Sequence, residues 1–356
     1  MKKIIDDRII FLNFLWIGRG FIMGLLSFWK NRYNQFTSKK SLRRAKRNQE
    51  QDLINEIDRI LAETKTKIPL VRNYRKKLKE PLSHALDELS TMISQIPGPL
   101  ELDPELWEKD PVLKIVFTGS DKFSQWLESC ESLRNVFKQT DAAELFGLLV
   151  ADYNEKTSFG SEINGDILRR DVQHQSVFFE DPRILVPAPD LVLARKELQH
   201  RILVMLFTRE LNEIADLKSW KEELQRQQDL LEFKLWGDEK PESGKTASAS
   251  GDKTDEGKKI LSAIDQKIEE IGKNLDTPKS HLAHLTRALM GLRQHLRIEH
   301  FTLRLNSLGI KVKASSSESF SEISLAEFTF SGSGKRAAIW TQVKRTSMVL
   351  PEELLE

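Results

Sequence analysis

The chain has 356 residues with 55 basic and 53 acidic side chains, a formal charge of only +2, so it carries no overall nucleic-acid signature and charge has meaning only locally. Its single cysteine, Cys130, excludes an intramolecular disulfide and any cysteine-based zinc site, and a reducing compartment is the easier fit. The length suits about two domains.

The first element, residues 4–29, reads as a helix that is almost continuously apolar from residue 9 to residue 28. Phe11, Leu12, Leu15, Trp16, Phe21, Ile22, Leu25, Phe28 and Trp29 would contact lipid, and Gly20 and Gly24 have the spacing that lets two helices approach closely in a membrane. Arg19 costs about 2.5–3.5 kcal/mol on insertion scales, against roughly 0.3–0.6 kcal/mol in favour from each Leu, Ile or Phe, so full spanning is near break-even. Lying in the interface is the other membrane-bound form. Asp6 and Asp7 precede the run and no small-residue cleavage pattern follows it, which is unlike a signal peptide.

Lys30, Arg32, Lys39, Lys40, Arg43, Arg44, Lys46 and Arg47 come next, with no acid before Glu50. Such a block binds an anionic surface and, by the positive-inside bias, places the remainder of the chain on the cytoplasmic face of the cell membrane. Residues 1–47 therefore read as a membrane-associating segment. The same residues also fit a buried helix of a soluble cytoplasmic protein, or a nucleic-acid binder that neutralises phosphates. Only Tyr33 and Phe36 are interleaved with the basic block, which leaves little to stack on bases.

Residues 48–140 read as a helical region. Leu53, Ile57, Ile60 and Leu61 share one side of a charged helix over 41–66, and Leu78, Leu82, Ala85, Leu89 and Met92 recur at three and four over 71–96, with Pro81 inside. Pro97, Gly98 and Pro99 end this pair. Asp103 before Pro104 and Asp110 before Pro111 are helix starts, and a further helix carries Phe123, Trp126, Leu127, Cys130, Leu133 and Phe137 on one face. Cys130 on an apolar face reads as a core residue rather than a nucleophile.

In residues 141–189, Asp141 and Glu144 suggest a capping box for a short helix through Val150. Four short strands follow, over 157–163, 166–172, 176–179 and 183–186, with Asn164 and Gly165 as a hairpin turn. Residues 190–308 read as long helices, opened by Asp190 and reopened by Thr277 before Pro278. Leu224, Leu231 and Leu235 against Leu261, Ile264, Ile268, Ile271 and Leu275 suggest an antiparallel coiled-coil hairpin. Its tip, residues 237–257, lacks any large apolar side chain and reads as disordered. Three strands over 310–314, 320–330 and 336–345 complete a C-terminal β region, residues 309–349.

The expected fold is thus α+β and predominantly α-helical: long helices with an antiparallel coiled-coil hairpin, plus small antiparallel β-sheet segments. Catalytic constellations are thin. Glu197 and His200 make one Glu-x-x-His step without the second that a di-metal site needs. His281, His284, His295 and His300 lack a matching third ligand. Asp166, Arg169, Arg170, Asp171 and His174 read as outward charges on a strand. The expected function is a membrane-associated scaffold or interaction protein with no catalytic residue, metal, cofactor or small-molecule substrate. Its expected partners are an anionic membrane surface and either a protein or a second copy held through the helical seams. A nucleic-acid binder, or a hydrolase or nuclease assembled only in three dimensions, are the alternatives.

Overall fold

The computed structural model describes residues 47–164, 167–237, 251–275, 277–306, 308–312, 319–331 and 334–348. Two compact units divide the chain, residues 1–56 and 57–356. In the first, residues 47–56 are helical, and Gln51 Nε2 donates to Asn55 Oδ1 one turn on.

The second unit opens with α1, residues 57–63, and a 3₁₀ turn at Ile68–Leu70. Helix α2, Tyr74–Ser94, follows and runs through Pro81, burying Leu78, Leu82, Ala85, Leu89 and Met92 as their spacing requires. Next come β1 (Leu100–Glu101), α3 (Pro111–Val116), α4 (Ser120–Ser129) and α5 (Glu131–Gln139). Two long strands, β2 (Glu144–Asn164) and β3 (Ile167–Ala188), form a hairpin in which Asn164 pairs with Ile167. Helices α6 (Leu191–Gly237), α7 (Gly251–Leu275), α8 (Pro278–Met290) and α9 (Leu292–His295) lead to β4 (Leu296–Leu305), β5 (Ser321–Phe330) and β6 (Arg336–Lys344).

All six strands join one sheet. Five of them run antiparallel in the order β3-β2-β6-β5-β4 and curl into a half-barrel, with β1 beside β6. The sheet forks along β6, whose start pairs with β5 at Ala338↔Ala326 and whose end pairs with β1 at Thr341↔Leu100. At one end the two edge strands meet through residues 309–312, because Ile310 bridges Ser176 on β3 and Lys311 bridges Leu305 on β4.

The inward face of the curl is filled. Leu145 and Leu149 of β2, Val177 and Ile184 of β3, Leu303 and Leu305 of β4, Ile323 and Leu325 of β5, and Ile339 and Val343 of β6 pack against Leu113, Phe123, Leu127, Leu133 and Phe137 from α3, α4 and α5. What remains between Val116, Leu149, Phe179, Leu325 and Ile339 is a gap of about 10 Å³, too small for a ligand. Period-two alternation sends Ala338 and Trp340 to the opposite face, where α6 lies across β2 and β3 and sets the Arg195 guanidinium 6.0 Å from the Trp340 ring. Helix α2 packs on α6 and α8 within the same layer. A glycine is needed where the 97–99 turn meets this sheet. Gly98 has φ +113°, and a Cβ there would lie 2.3 Å from the Trp340 carbonyl oxygen.

The expected fold class is corrected in four respects. The β segments are not small and separate: β2 and β3 have 21 and 22 residues and lie in one sheet with β4, β5 and β6. Residues 144–150, expected as a helix, form the start of β2. Residues 145–150 are apolar without alternation because both faces are covered, and a short continuous apolar run does not distinguish strand from helix. Residues 296–305, expected as the end of the helical region 190–308, are β4: the seven-residue step from Leu296 to Leu303 suits a helix, whereas the buried pairs Leu296 and Ile298, and Leu303 and Leu305, follow the alternation of a strand.

A coiled-coil hairpin is not what α6 and α7 form. They touch at buried Leu224 and Ile264 and through Gln228 Nε2 donating to Asp265 Oδ1 at 2.7 Å, while Leu217, Leu231, Leu261, Ile268 and Ile271 stay only half-buried. Residues 238–250, most of the expected disordered tip, lie outside the described residues, and α7 is helical from Gly251.

Candidate functional site

The lipid-contacting residues expected from Phe11 to Trp29, and Lys30 to Lys46 of the basic block, lie outside the described residues. Arg47 is exposed on a helical residue. Among the described residues no helix is long and apolar enough to cross a membrane. The polar groups that the fold gathers elsewhere fall into three clusters.

The first joins α1 to α6. His200 is 2% exposed, and its Nε2 lies 2.9 Å from Glu63 Oε1. Arg59 bridges Glu63 at 3.5 Å and Glu197 at 3.0 Å. The Glu197–His200 step thus meets its complement, an i,i+4 Arg59–Glu63 pair, and Arg59 joins a carboxylate from each of the two helices. Sequence reasoning had one half of this cluster; the other was visible as the Arg59–Glu63 spacing but had no reason to be matched to it. Among the described residues no three His, Cys, Asp or Glu side chains could together hold a metal ion.

The second cluster lies where the sheet edges meet. Tyr153 of β2 is packed between the rings of Phe179 and Phe301, at 5.8 and 5.6 Å, and its hydroxyl donates to Glu155, which Lys311 Nζ reaches at 2.8 Å. Burial, then the bond to Glu155 and the charges of Glu155 and Glu327, push the phenol pKa up. Burial also raises that of Glu155, but hydrogen bonds from Lys311 and Tyr153 and the charges of Lys311 and Lys335 bring it below its ordinary value. The two shifts are two sides of one bond, and they make Tyr153 a fixed neutral donor rather than a base. An open concavity of about 450 Å³ adjoins it, lined by Thr302, Leu303, Arg304, Lys311, Val312 and Glu322. Arg304 is paired with Glu322 at 3.1 Å and lies over the Phe320 ring, so both cations of the concavity already hold a carboxylate.

The third is Glu210 on α6, 7% exposed, whose Oε1 has no hydrogen-bond partner among the described residues. Beside it Arg209 holds Glu213 at 2.8 Å and contacts His295 Nδ1 at 3.1 Å. Burial and the Glu213 charge raise the Glu210 pKa, with His295, Arg209 and His284 acting against them.

Cys130 is half-buried, and burial pushes its thiol up to about 11, so it is not a thiolate at neutral pH. Large apolar side chains stand exposed on the long helices: Trp220, Leu230 and Phe233 on α6 and Ile260 on α7. No known protein family, curated protein or solved structure matches the chain.

Proposed function

We propose that this chain is a membrane-associated interaction protein, held on the cytoplasmic face of a membrane and carrying no catalytic chemistry of its own. The observation that carries this reading is the succession of an apolar run over residues 9–29 and eight basic residues from Lys30 to Arg47 without an acid before Glu50. Two structural features support its non-catalytic half. The inward face of the sheet is packed with side chains from three short helices, and the three polar clusters are internally charge-compensated or buried. Trp220, Leu230 and Phe233 on α6 offer apolar surface to a protein partner.

The test is sedimentation of the full chain with phosphatidylcholine vesicles, with and without phosphatidylserine. Binding that grows with the anionic lipid is the expected result. A chain that stays in the supernatant with every lipid, or that binds DNA or RNA in its place, overturns the reading.

A further inference from the structure

A second cationic surface lies within the body of the protein. Between Glu63 and Glu80 there is no acidic residue and there are seven basic ones, Lys65, Lys67, Arg72, Arg75, Lys76, Lys77 and Lys79. This stretch is the connection from α1 to α2 and the first turns of α2. It is held in a defined shape. Ile68 and Val71 are buried at 0% and 6% exposure, Lys65 and Asn73 take positive φ of 49° and 61°, and Asp58 on α1 accepts hydrogen bonds from the Tyr74 hydroxyl and Arg75 Nε, both at 3.0 Å. With Ile68 and Val71 pointing inward, the 3₁₀ turn pushes Pro69 and Leu70 outward, and Leu70 is 77% exposed. Arg75 is committed to Asp58 by a 2.8 Å ion pair. Lys65, Lys67, Arg72, Lys76 and Lys77 are exposed and have no carboxylate partner among the described residues.

Folding has no use for this arrangement. Three cations, Arg75, Lys76 and Lys77, sit in the first turn of a helix, the end at which the backbone dipole disfavours positive charge; that turn holds no acid, and Asp58 offsets Arg75 but neither lysine. An exposed leucine at the apex of a cationic ring is likewise a cost in water. Both costs are relieved by one kind of partner, a surface that is anionic at its face and apolar just beneath it. A nucleic acid would satisfy the cations but has no place for Pro69 and Leu70, and the only aromatic ring in the stretch, Tyr74, is tied to Asp58 rather than free to stack.

The geometry points to the α1–α2 connection as an anionic-lipid contact, with Lys65, Lys67, Arg72, Lys76 and Lys77 against the headgroups and Leu70 entering the acyl boundary. This rests on the membrane-associated reading above and adds a contact in the second unit, distinct from the basic block before residue 48.

A thiol-reactive, environment-sensitive fluorophore at Leu70→Cys, in the full chain with Cys130→Ser, reads the apex directly. Vesicles containing roughly a quarter phosphatidylserine are expected to blue-shift it, and pure phosphatidylcholine to leave it as in buffer. Neutralising Lys65, Lys67 and Arg72 to Gln is expected to abolish that shift and to lower the vesicle partition coefficient roughly a hundredfold, since each of the three basic residues near such a surface contributes about a fivefold change. A chain that binds anionic vesicles with no response at position 70, and with partition unaltered in the triple variant, overturns this inference and leaves the reading above standing. A chain that binds no vesicle overturns both. A blue shift with RNA or DNA but not with vesicles assigns the surface to nucleic acid and overturns the lipid contact.

Discussion

Gly98 is the residue whose identity the fold constrains most tightly. Its φ of +113° is one that side-chain-bearing residues rarely adopt, and the space a Cβ would need is taken by the backbone of Trp340, a strand residue that cannot step aside. Gly98→Ala is expected to destabilise the second unit by roughly 2–4 kcal/mol, read as a lowered denaturant midpoint with the slope unchanged. Glu210 makes a prediction of opposite sign. Its folded pKa is raised by burial first and by Glu213 second, so the folded state prefers the protonated acid. Below the unfolded carboxylate pKa the group is neutral in both states; as pH climbs from there through the raised folded pKa, that preference turns into a growing penalty on folding. Glu210→Gln should therefore be more stable than the parent at neutral pH, with the gap closing as pH falls into the ordinary carboxylate range. Urea midpoints across that window check it, and a gap that is independent of pH or reversed in sign would count against the assignment.

At the scale of elements, the sequence was most informative where a local interaction decides the structure. Asp103 and Asp110, each before a proline, cap their helices as expected: Asp103 accepts from Glu105 N, and Asp110 accepts from Val112 N at 2.8 Å and Leu113 N at 3.2 Å. Asp190 accepts from Leu193 N, and Thr277 closes a capping box with Ser280. Replacing Asp110 by Ala is expected to cost about 1 kcal/mol, measured by thermal or chemical denaturation, because two buried-side backbone donors of α3 lose their acceptor. Where partners distant in sequence decide, the reading failed. Residues 144–150 look helical until β6 and β3 are placed on either side of them, and Leu296 and Leu303 keep a helical spacing until β5 pairs with both, at Phe330 and Ile323. The same limit applied to the sites. Glu197 and His200 were visible, but Arg59 and Glu63, 138 and 137 positions away, were not theirs to call upon from sequence. The cationic connection over residues 64–79 was legible in principle, as an acid-free run. Its hydrophobic spacing reads as an ordinary amphipathic helix, and nothing in that spacing says that Leu70 points outward.

For the whole molecule, the two modes of membrane attachment make different demands on salt. An interfacial helix assisted by basic residues should release from anionic vesicles as ionic strength approaches 1 M, where the screening length falls to about 3 Å. A spanning helix should not. Substituting the cations between Lys30 and Arg47 should release the first form and leave the second in place, so the sedimentation experiment, run with salt and with these variants, separates them. If the connection over residues 64–79 also touches lipid, the salt-sensitive part of binding has contributions from both units.

Strand β6 sits between β2 and β5, yet it follows β2 by most of the chain: Thr341 Oγ1 donates to the Gly147 carbonyl across 194 positions. On the ribosome, the β2–β3 hairpin emerges first and has to wait, with the edge of residues 144–152 bare, while α6 to α9 and β4 and β5 are made. That edge is an apolar, ready-made template for pairing with another chain. Synthesis at 5–20 residues per second keeps it open for roughly ten to forty seconds, a far longer exposure than the microsecond closure of a local hairpin. The late-arriving strand therefore makes the nascent chain a natural client for chaperones, and it makes translation speed through α6 and α7 a determinant of how much protein reaches the folded state.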